Sequence, residues 1–369
     1  MHVKNSKPYI PQEDVDSILV DMREALEAGD LTFGPRLEKF EREFAELSGT
    51  KYAVAVNSGT SALEAPLRYF NIKGKEVIVP TNTFVASANA VIFAGGTPVM
   101  VDMDITNLCA DFEDIKRKVT PNTKGVIIVH SCGYIPPYIF ELKKFCSDNG
   151  LFLLEDAAHA HGASIDSHRA GSIGDVGSFS FFPTKLMTTG EGGMVTTNNE
   201  ELAEYVKQVR HHGQKNGLMT ELGYNWRMST LNAIVGASQL KRLDLFIKRR
   251  NEIASVYNNA LKDIEEITLI KVPDNIVHSY WKYPILIKSK YTASEFQQLL
   301  KDKYTIDIGT IYYPPVHLQP YYKENYNYVE GALPVSEQNL LREVCLPIFV
   351  DMTESQLNYV IESVKKELI

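Results

Sequence analysis

Short apolar runs alternate with stretches of helical period over the first two hundred or so residues, and no other feature restricts the fold as much. Residues 51–57 (KYAVAVN), 76–80, 98–102, 125–130, 152–156, 176–182 and 194–197 are brief and dominated by apolar, often β-branched or aromatic, side chains. Runs this short and this continuous read as strands buried on both faces. Between them, residues 63–67, 85–93, 137–148 and the stretch up to 209 carry helical spacing. Strand, helix, strand in repeat argues for an α/β fold with a mostly parallel sheet and right-handed crossovers. In such a sheet ligands gather at the C-terminal ends of the strands. Ser58, Thr83, Asp156 and His159 fall there.

The flanks read differently. Residues 12–29 put Val15, Ile18, Leu19, Met22 and Leu26 on one stripe, and Gly29 ends it. After Gly34-Pro35, residues Leu37, Phe40, Phe44 and Leu47 recur at helical spacing. Residues 231–261 read as one long amphipathic stretch able to cross between domains. Beyond about 262 the pattern becomes a strand (279–287), a helix (293–300), a Tyr/Pro-rich loop (310–319) and a closing helix (353–368). A chain of 369 residues exceeds one ordinary core. The expectation is a large domain over 1–245 and a smaller C-terminal α+β domain over 246–369.

Composition closes off other classes. A formal charge of -8 argues against nucleic acid as a partner, because phosphate backbones need a basic face. No run of 18 apolar residues is present, and residues 1–15 hold no apolar signal core, so the expectation is a cytoplasmic protein with no membrane partner. Cys109, Cys132, Cys146 and Cys345 are scattered and read as free thiols. His159 and His161 lack a third ligand at metal spacing, so no metal is expected. His211-His212 reads as a solvated loop.

Residues 151–198 carry the chemistry. An acid pair, Glu155-Asp156, ends one apolar run. Lys185 follows another, and Gly190-Glu191-Gly192-Gly193 comes next. An acid at the end of one buried strand and a lone Lys past another can face one cleft. That arrangement suits a cofactor needing a carboxylate at one end and a Schiff-base amine at the other, and pyridoxal phosphate is such a cofactor. Upstream, Ser58-Gly59-Thr60-Ser61 lies between a strand and a helix start. Backbone N–H groups and hydroxyls there suit an anion. The same residues also make a good helix cap, and both readings stand.

With these pieces assembled, the chain resembles the fold-type-I pyridoxal-phosphate enzymes, and is most similar to the DegT/StrS family of sugar aminotransferases. The likeness runs through Gly34-Pro35, Ser58-Gly59-Thr60-Ser61, Thr83-Phe84-Val85-Ala86, Val101-Asp102 and His130-Ser131-Cys132-Gly133. It continues in Glu155-Asp156-Ala157-Ala158-His159, residues 180–185, Gly223-Tyr224-Asn225-Trp226-Arg227, Tyr313-Pro314 and His317-Leu318-Gln319-Pro320. The resemblance implies a large domain with a mostly parallel seven-stranded sheet flanked by helices, and a smaller C-terminal domain.

It also implies residue roles. Lys185 forms the Schiff base and shuttles a proton, which needs a partly desolvated amine. Asp156 pairs with the pyridine nitrogen and keeps it protonated. Ala158 packs on one ring face and Phe84 on the other. Gly59, Thr60 and Ser61 hold the phosphate, with a hydroxyl from Ser180. His159 lies near the ring oxygen or the phosphate. Asn225 reaches the phosphate of a partner subunit, so that a homodimer shares its sites. Tyr313 and His317 either line the sugar-nucleotide pocket or belong to a loop that only packs on the larger domain.

The implied reaction moves an amino group from L-glutamate to a nucleotide-linked keto sugar, with ping-pong kinetics through pyridoxamine phosphate, in amino-sugar or surface-glycan biosynthesis. Lys185 speaks against the dehydratase branch, which carries His there. Residues 131–138 (SCGYIPPY) depart from the family's commoner His-Leu-Tyr-Gly start and leave the substrate open. A cyclitol or other ring ketone is the first alternative. A cofactor-binding regulator without turnover is the second.

Overall fold

The apolar runs become strands in the computed structural model, which describes residues 1–369. The first five are β1 (Tyr52–Val56), β2 (Glu76–Pro80), β3 (Thr97–Val101), β4 (Thr123–Val129) and β5 (Phe152–Asp156). A two-residue ladder, β6 (Ser164–Ile165) with β7 (His168–Arg169), interrupts before β8 (Val176–Ser180) and β9 (Gly193–Thr197). The large sheet has seven strands in the order β1-β9-β8-β5-β4-β2-β3. Only β9 runs against the rest, pairing antiparallel with both β1 and β8.

Parallel neighbours need crossovers, and helices supply them. The chain opens with α1 (Gln12–Ala28) and α2 (Pro35–Ser48), then alternates α3 (Gly59–Tyr69), α4 (Val85–Phe93), α5 (Phe112–Lys118) and α6 (Ile139–Asp148) with the strands. The sheet is buried on both faces. On one side Phe40 and Phe44 of α2 meet Phe179 and Phe181 around β8. On the other, Val54, Val79, Ile127 and Leu154 pack with Leu63, Leu67 and Val91 of α3 and α4. This explains why the strand sequences lack polar alternation.

After α7 (Glu200–Val209) a short hairpin, β10 (Gln214–Lys215) and β11 (Leu218–Met219), projects from the body with Leu218 and Met219 exposed. The stretch expected as one element over 231–261 is two helices, α8 (Thr230–Leu240) and α9 (Leu243–Leu261). No Gly or Pro marks the break. At the break Arg242 N–H bonds Gln239 O, three residues back, at 3.1 Å, and its guanidinium pairs with Asp14 of α1 at 2.7 Å. A tertiary ion pair holds the corner.

The C-terminal part forms a second sheet, β12 (Ile267–Leu269), β14 (Tyr283–Ile287) and β15 (Glu343–Leu346), all antiparallel. Between them β13 (Ile276–Val277) pairs back onto β6. Helices α10 (Ala293–Tyr304), α11 (Pro320–Tyr326), α12 (Pro334–Leu340) and α13 (Glu354–Leu368) complete it. One core joins Ile253, Tyr257, Ile285, Phe296, Val344 and Val360. Val3 is fully buried in that same core, and its bridge to Ile306 ties the N-terminal segment to the chain just after α10. The expected division after residue 245 falls inside α9.

Candidate active site

Strand β5 ends at Asp156, and alternation along a strand sends consecutive side chains to opposite faces. Glu155 therefore turns away from Asp156. It is fully buried, meets His130 Nε2 at 2.7 Å and accepts from the backbone N–H groups of Gly171, Ile173 and Gly174 at 2.9, 2.7 and 2.6 Å. That acid organises the loop before β8. Asp156 faces a cavity of about 400 Å³. Ser87 Oγ of α4 donates to its Oδ2 at 2.8 Å, and Ala158 N–H donates to Oδ1 at 3.2 Å. Burial pushes the Asp156 carboxyl above its ordinary value. The two donors and the Lys185 and His130 charges work against that rise.

Lys185 lines the same cavity from the loop after β8. The loop is pinned twice, by Lys185 N–H on Phe182 O at 2.9 Å and by Trp281 Nε1 on Thr184 O at 2.6 Å. The ammonium stands 4.3 Å from the centre of the Trp281 ring. The side chain borders the cavity and keeps some exposed area, yet protein crowds it. Desolvation is the largest influence on the amine, Asp156 opposes it and Lys282 assists it, and the value comes down to about 8.

The turn from β1 into α3 makes the third wall. Ser58 caps α3 by accepting from Ser61 N–H, and Ser58, Gly59 and Thr60 border the cavity with Ser180 opposite. The fit is close. A Cβ on Gly59 would stand 2.6 Å from Ser180 Cβ, and one on Gly193 would stand 2.2 Å from Ser58 O. Glycines at both places let β8, β9 and the helix start converge on one concavity. Free N–H groups at a helix start, two hydroxyls and no carboxylate make this wall an anion cradle. Ser61 itself is buried beneath it, donating to Asn57 Oδ1 at 2.7 Å, so its side chain serves the turn and not the cavity surface.

Phe84 and Ala158 both line the cavity, and Phe84 is 53% exposed. His159 stacks on Trp281 at 3.9 Å and meets Tyr312 O–H at 3.0 Å through Nε2. Burial holds its imidazole well below the usual His value, hence neutral. His161 is fully buried against Phe179 and Phe181.

The remaining expected residues stand elsewhere. Asn225 is exposed outside the cavity, and its carbonyl accepts from Asn57 Nδ2 at 3.4 Å. Tyr313 is 48% exposed and does not border the cavity, while its neighbour Tyr312 does. His317 is fully buried between Thr81 Oγ1 at 2.7 Å and Glu337 Oε1 at 2.9 Å, which fits the packing reading of that loop. Conversely, Asn5, Ser6, Ser87, Trp281 and Lys282 border the cavity without having been singled out from the sequence, and so does Glu191 of the Gly190–Gly193 run, to which no role was given. Ser87 had a signal available: it lies one helical turn after Thr83, and the two hydroxyls are 2.9 Å apart.

A family model matches residues 12–365, that of the DegT/DnrJ/EryC1/StrS aminotransferase family. The chain belongs to this family. Among its relatives is the spore coat polysaccharide biosynthesis protein SpsC of Bacillus subtilis, 38% identical over 98% of this chain and 95% of that one. The GDP-perosamine synthase of Escherichia coli O157:H7 is 35% identical over 90% of each chain. Among solved structures, S. venezuelae DesV in complex with a ketimine intermediate superposes with a TM-score of 0.92 at 32% identity, covering 98% of this chain and 99% of that one.

This member of the DegT/DnrJ/EryC1/StrS family is a transaminase of the sugar-aminotransferase group, dependent on pyridoxal 5'-phosphate. The residues present fit that group. The Gly59–Ser180 cradle suits a phosphate, and the buried Asp156 carboxylate has no cation within 4.0 Å in the protein itself. No helix is long and apolar enough to cross a membrane.

Proposed function

We propose that this transaminase moves an amino group from L-glutamate to a keto sugar carried on a nucleotide. The observation that carries the reading is that Lys185 and Asp156 face one cavity whose far wall is an anion cradle. When bound, pyridoxal phosphate supplies an aldehyde that an amine can capture and a ring that accepts electrons. Each side chain then has a distinct task. Asp156 would hold a proton on the ring nitrogen, and would gain there the charged partner that its burial lacks. Ser58, Gly59, Thr60 and Ser180 take the phosphate. Ala158 and Phe84 confine the ring faces. Lys185, its amine lowered to about 8, would capture the aldehyde and carry a proton to and from the reacting carbon. His159, kept neutral, offers one ring nitrogen without adding charge.

Donor and acceptor use the same groups in turn, so the kinetics are ping-pong. The sugar-nucleotide assignment leans on the relative named GDP-perosamine synthase, and a role in surface-glycan synthesis on the relative named for spore coat polysaccharide. Exposed Asn225 and the projecting β10–β11 hairpin suit a homodimer in which each subunit completes the other's phosphate site. The test is a substrate panel. Purified enzyme with pyridoxal phosphate and L-glutamate is offered nucleotide-linked keto sugars and free ring ketones such as cyclitols, and 2-oxoglutarate is measured. Turnover confined to the free ketones would overturn the proposal.

A further inference from the structure

Trp281 carries two ammonium groups. Lys185 Nζ lies 4.3 Å from the centre of its ring and Lys282 Nζ 4.7 Å, so the two nitrogens are separated by no more than the sum of those distances. The ring is fixed, because its Nε1 donates to Thr184 O at 2.6 Å and His159 stacks on it at 3.9 Å. Lys282 is fixed as well. It directly precedes β14, and its Nζ donates to Thr310 O at 2.5 Å. Neither Lys has a carboxylate within 4.0 Å. An acid that feels the Lys282 charge is Glu343, fully buried, which accepts from Ile311 N–H at 2.5 Å and from Cys345 Sγ at 3.0 Å. Its carboxyl is pushed up to about 7 by burial, so it neutralises Lys282 only in part near neutral pH.

We propose that Lys282 is a positioning residue for the chemistry at Lys185: its fixed charge, held against the same indole, favours the neutral, nucleophilic form of the Lys185 amine. This rests on the proposed role of Lys185. A like charge at this range disfavours a second ammonium, and the effect is strongest where water is excluded. The other groups that face Lys185 across the cavity include the Glu191 carboxylate and the Tyr312 hydroxyl, which line it, and four that lie closer in effect. Asp156 and Cys132 favour its protonated form, His159 and His161 are neutral, and burial acts in the same direction as Lys282. Lys282 is thus a cation set against Asp156.

The test needs no turnover. In the full-length cofactor-free protein, competitive acetylation with acetic anhydride across pH reports the protonation midpoint of Lys185, read by mass spectrometry. Lys282→Gln keeps a donor for Thr310 O but removes the charge, and should raise that midpoint by roughly one unit. Lys282→Arg should retain the wild-type midpoint. In the loaded enzyme the pH midpoint of the visible band should move up in the same variant. Its single-turnover rate with L-glutamate near pH 7 should fall about tenfold, recovering at higher pH with KM unchanged. Should Lys282→Gln fail to fold, Glu343→Gln leaves Lys282 uncompensated and should lower the Lys185 midpoint. A Lys185 midpoint unmoved in the folded variants overturns the inference. An enzyme that takes up no pyridoxal phosphate would sink the functional reading and leave the acetylation result standing.

Discussion

Ser87 Oγ donates to Asp156 Oδ2 at 2.8 Å, and Thr83 Oγ1 stands 2.9 Å behind it. The strand that delivers Asp156 and the helix that follows β2 are thereby locked at the residue on which the site turns. Ser87→Ala removes a bond to a charged acceptor inside the protein, worth about 1.5–3 kcal/mol. The Asp156 carboxyl is already raised, and losing this donor raises it further. The expected outcome is a fall in kcat of about tenfold or more. The loss should be larger on the acidic side of the pH profile, since protonation of Asp156 then begins at higher pH. A uniform loss across pH would mean that Ser87 acts only on packing.

Lys185 gives a prediction of opposite slope. Its amine is lowered to about 8, and only the neutral amine attacks an aldehyde. The rate at which cofactor-free protein takes up pyridoxal phosphate should rise as pH passes through about 8 and level off above it. Stopped-flow absorbance would follow it. Lys185→Ala should abolish the lysine-dependent visible band and reduce turnover by on the order of a thousandfold.

At Gly59, an added Cβ would stand 2.6 Å from Ser180 Cβ, a contact that forces β8 or α3 to shift. Gly59→Ala should weaken cofactor binding at least tenfold in a fluorescence titration, with little change in far-UV circular dichroism, because the strain falls on the cradle. Adding Ser180→Gly removes the opposing atom. Part of the affinity should return despite the lost hydroxyl.

These sites were unequally visible beforehand. Strand and helix alternation announced the sheet because each strand is buried on both faces and so reads as an unbroken apolar run. Asp156 and Lys185 were legible for the same reason, as polar residues placed where such runs end. Trp281, Lys282, Tyr312 and Asn5 gave no local sign. They reach the cavity through packing of the C-terminal core against the large sheet, a relation between residues far apart in sequence. Tyr312 and Tyr313 illustrate the limit: a loop has no fixed period, so adjacent tyrosines could not be told apart. The corner at Arg242 was hidden because its cause is an ion pair with Asp14.

Glu343 makes stability depend on pH. The folded chain binds its proton up to about 7, whereas the ordinary carboxyl value is 4.5, so the folded state holds more protons between those limits. The stabilisation is complete at low pH and is lost as pH rises through about 7. The shift corresponds to about 3 kcal/mol. Glu343→Gln cannot ionise. Its melting temperature relative to wild type should climb between pH 5 and 8, roughly the span of the titration. Parallel melting curves for the two proteins would refute the assignment.

The bridge between Val3 and Ile306 stitches the leading edge of the polypeptide onto the core built from its far end, and two residues further on Asn5 and Ser6 become part of the cavity wall. A chain begun at Gln12 would forfeit a buried anchor and a stretch of that wall in a single cut. Differential scanning calorimetry and a substrate competition assay should therefore register the same trimming together. Substrate choice in this enzyme would then be written partly in residues that ordinarily serve as little more than a handle for purification tags.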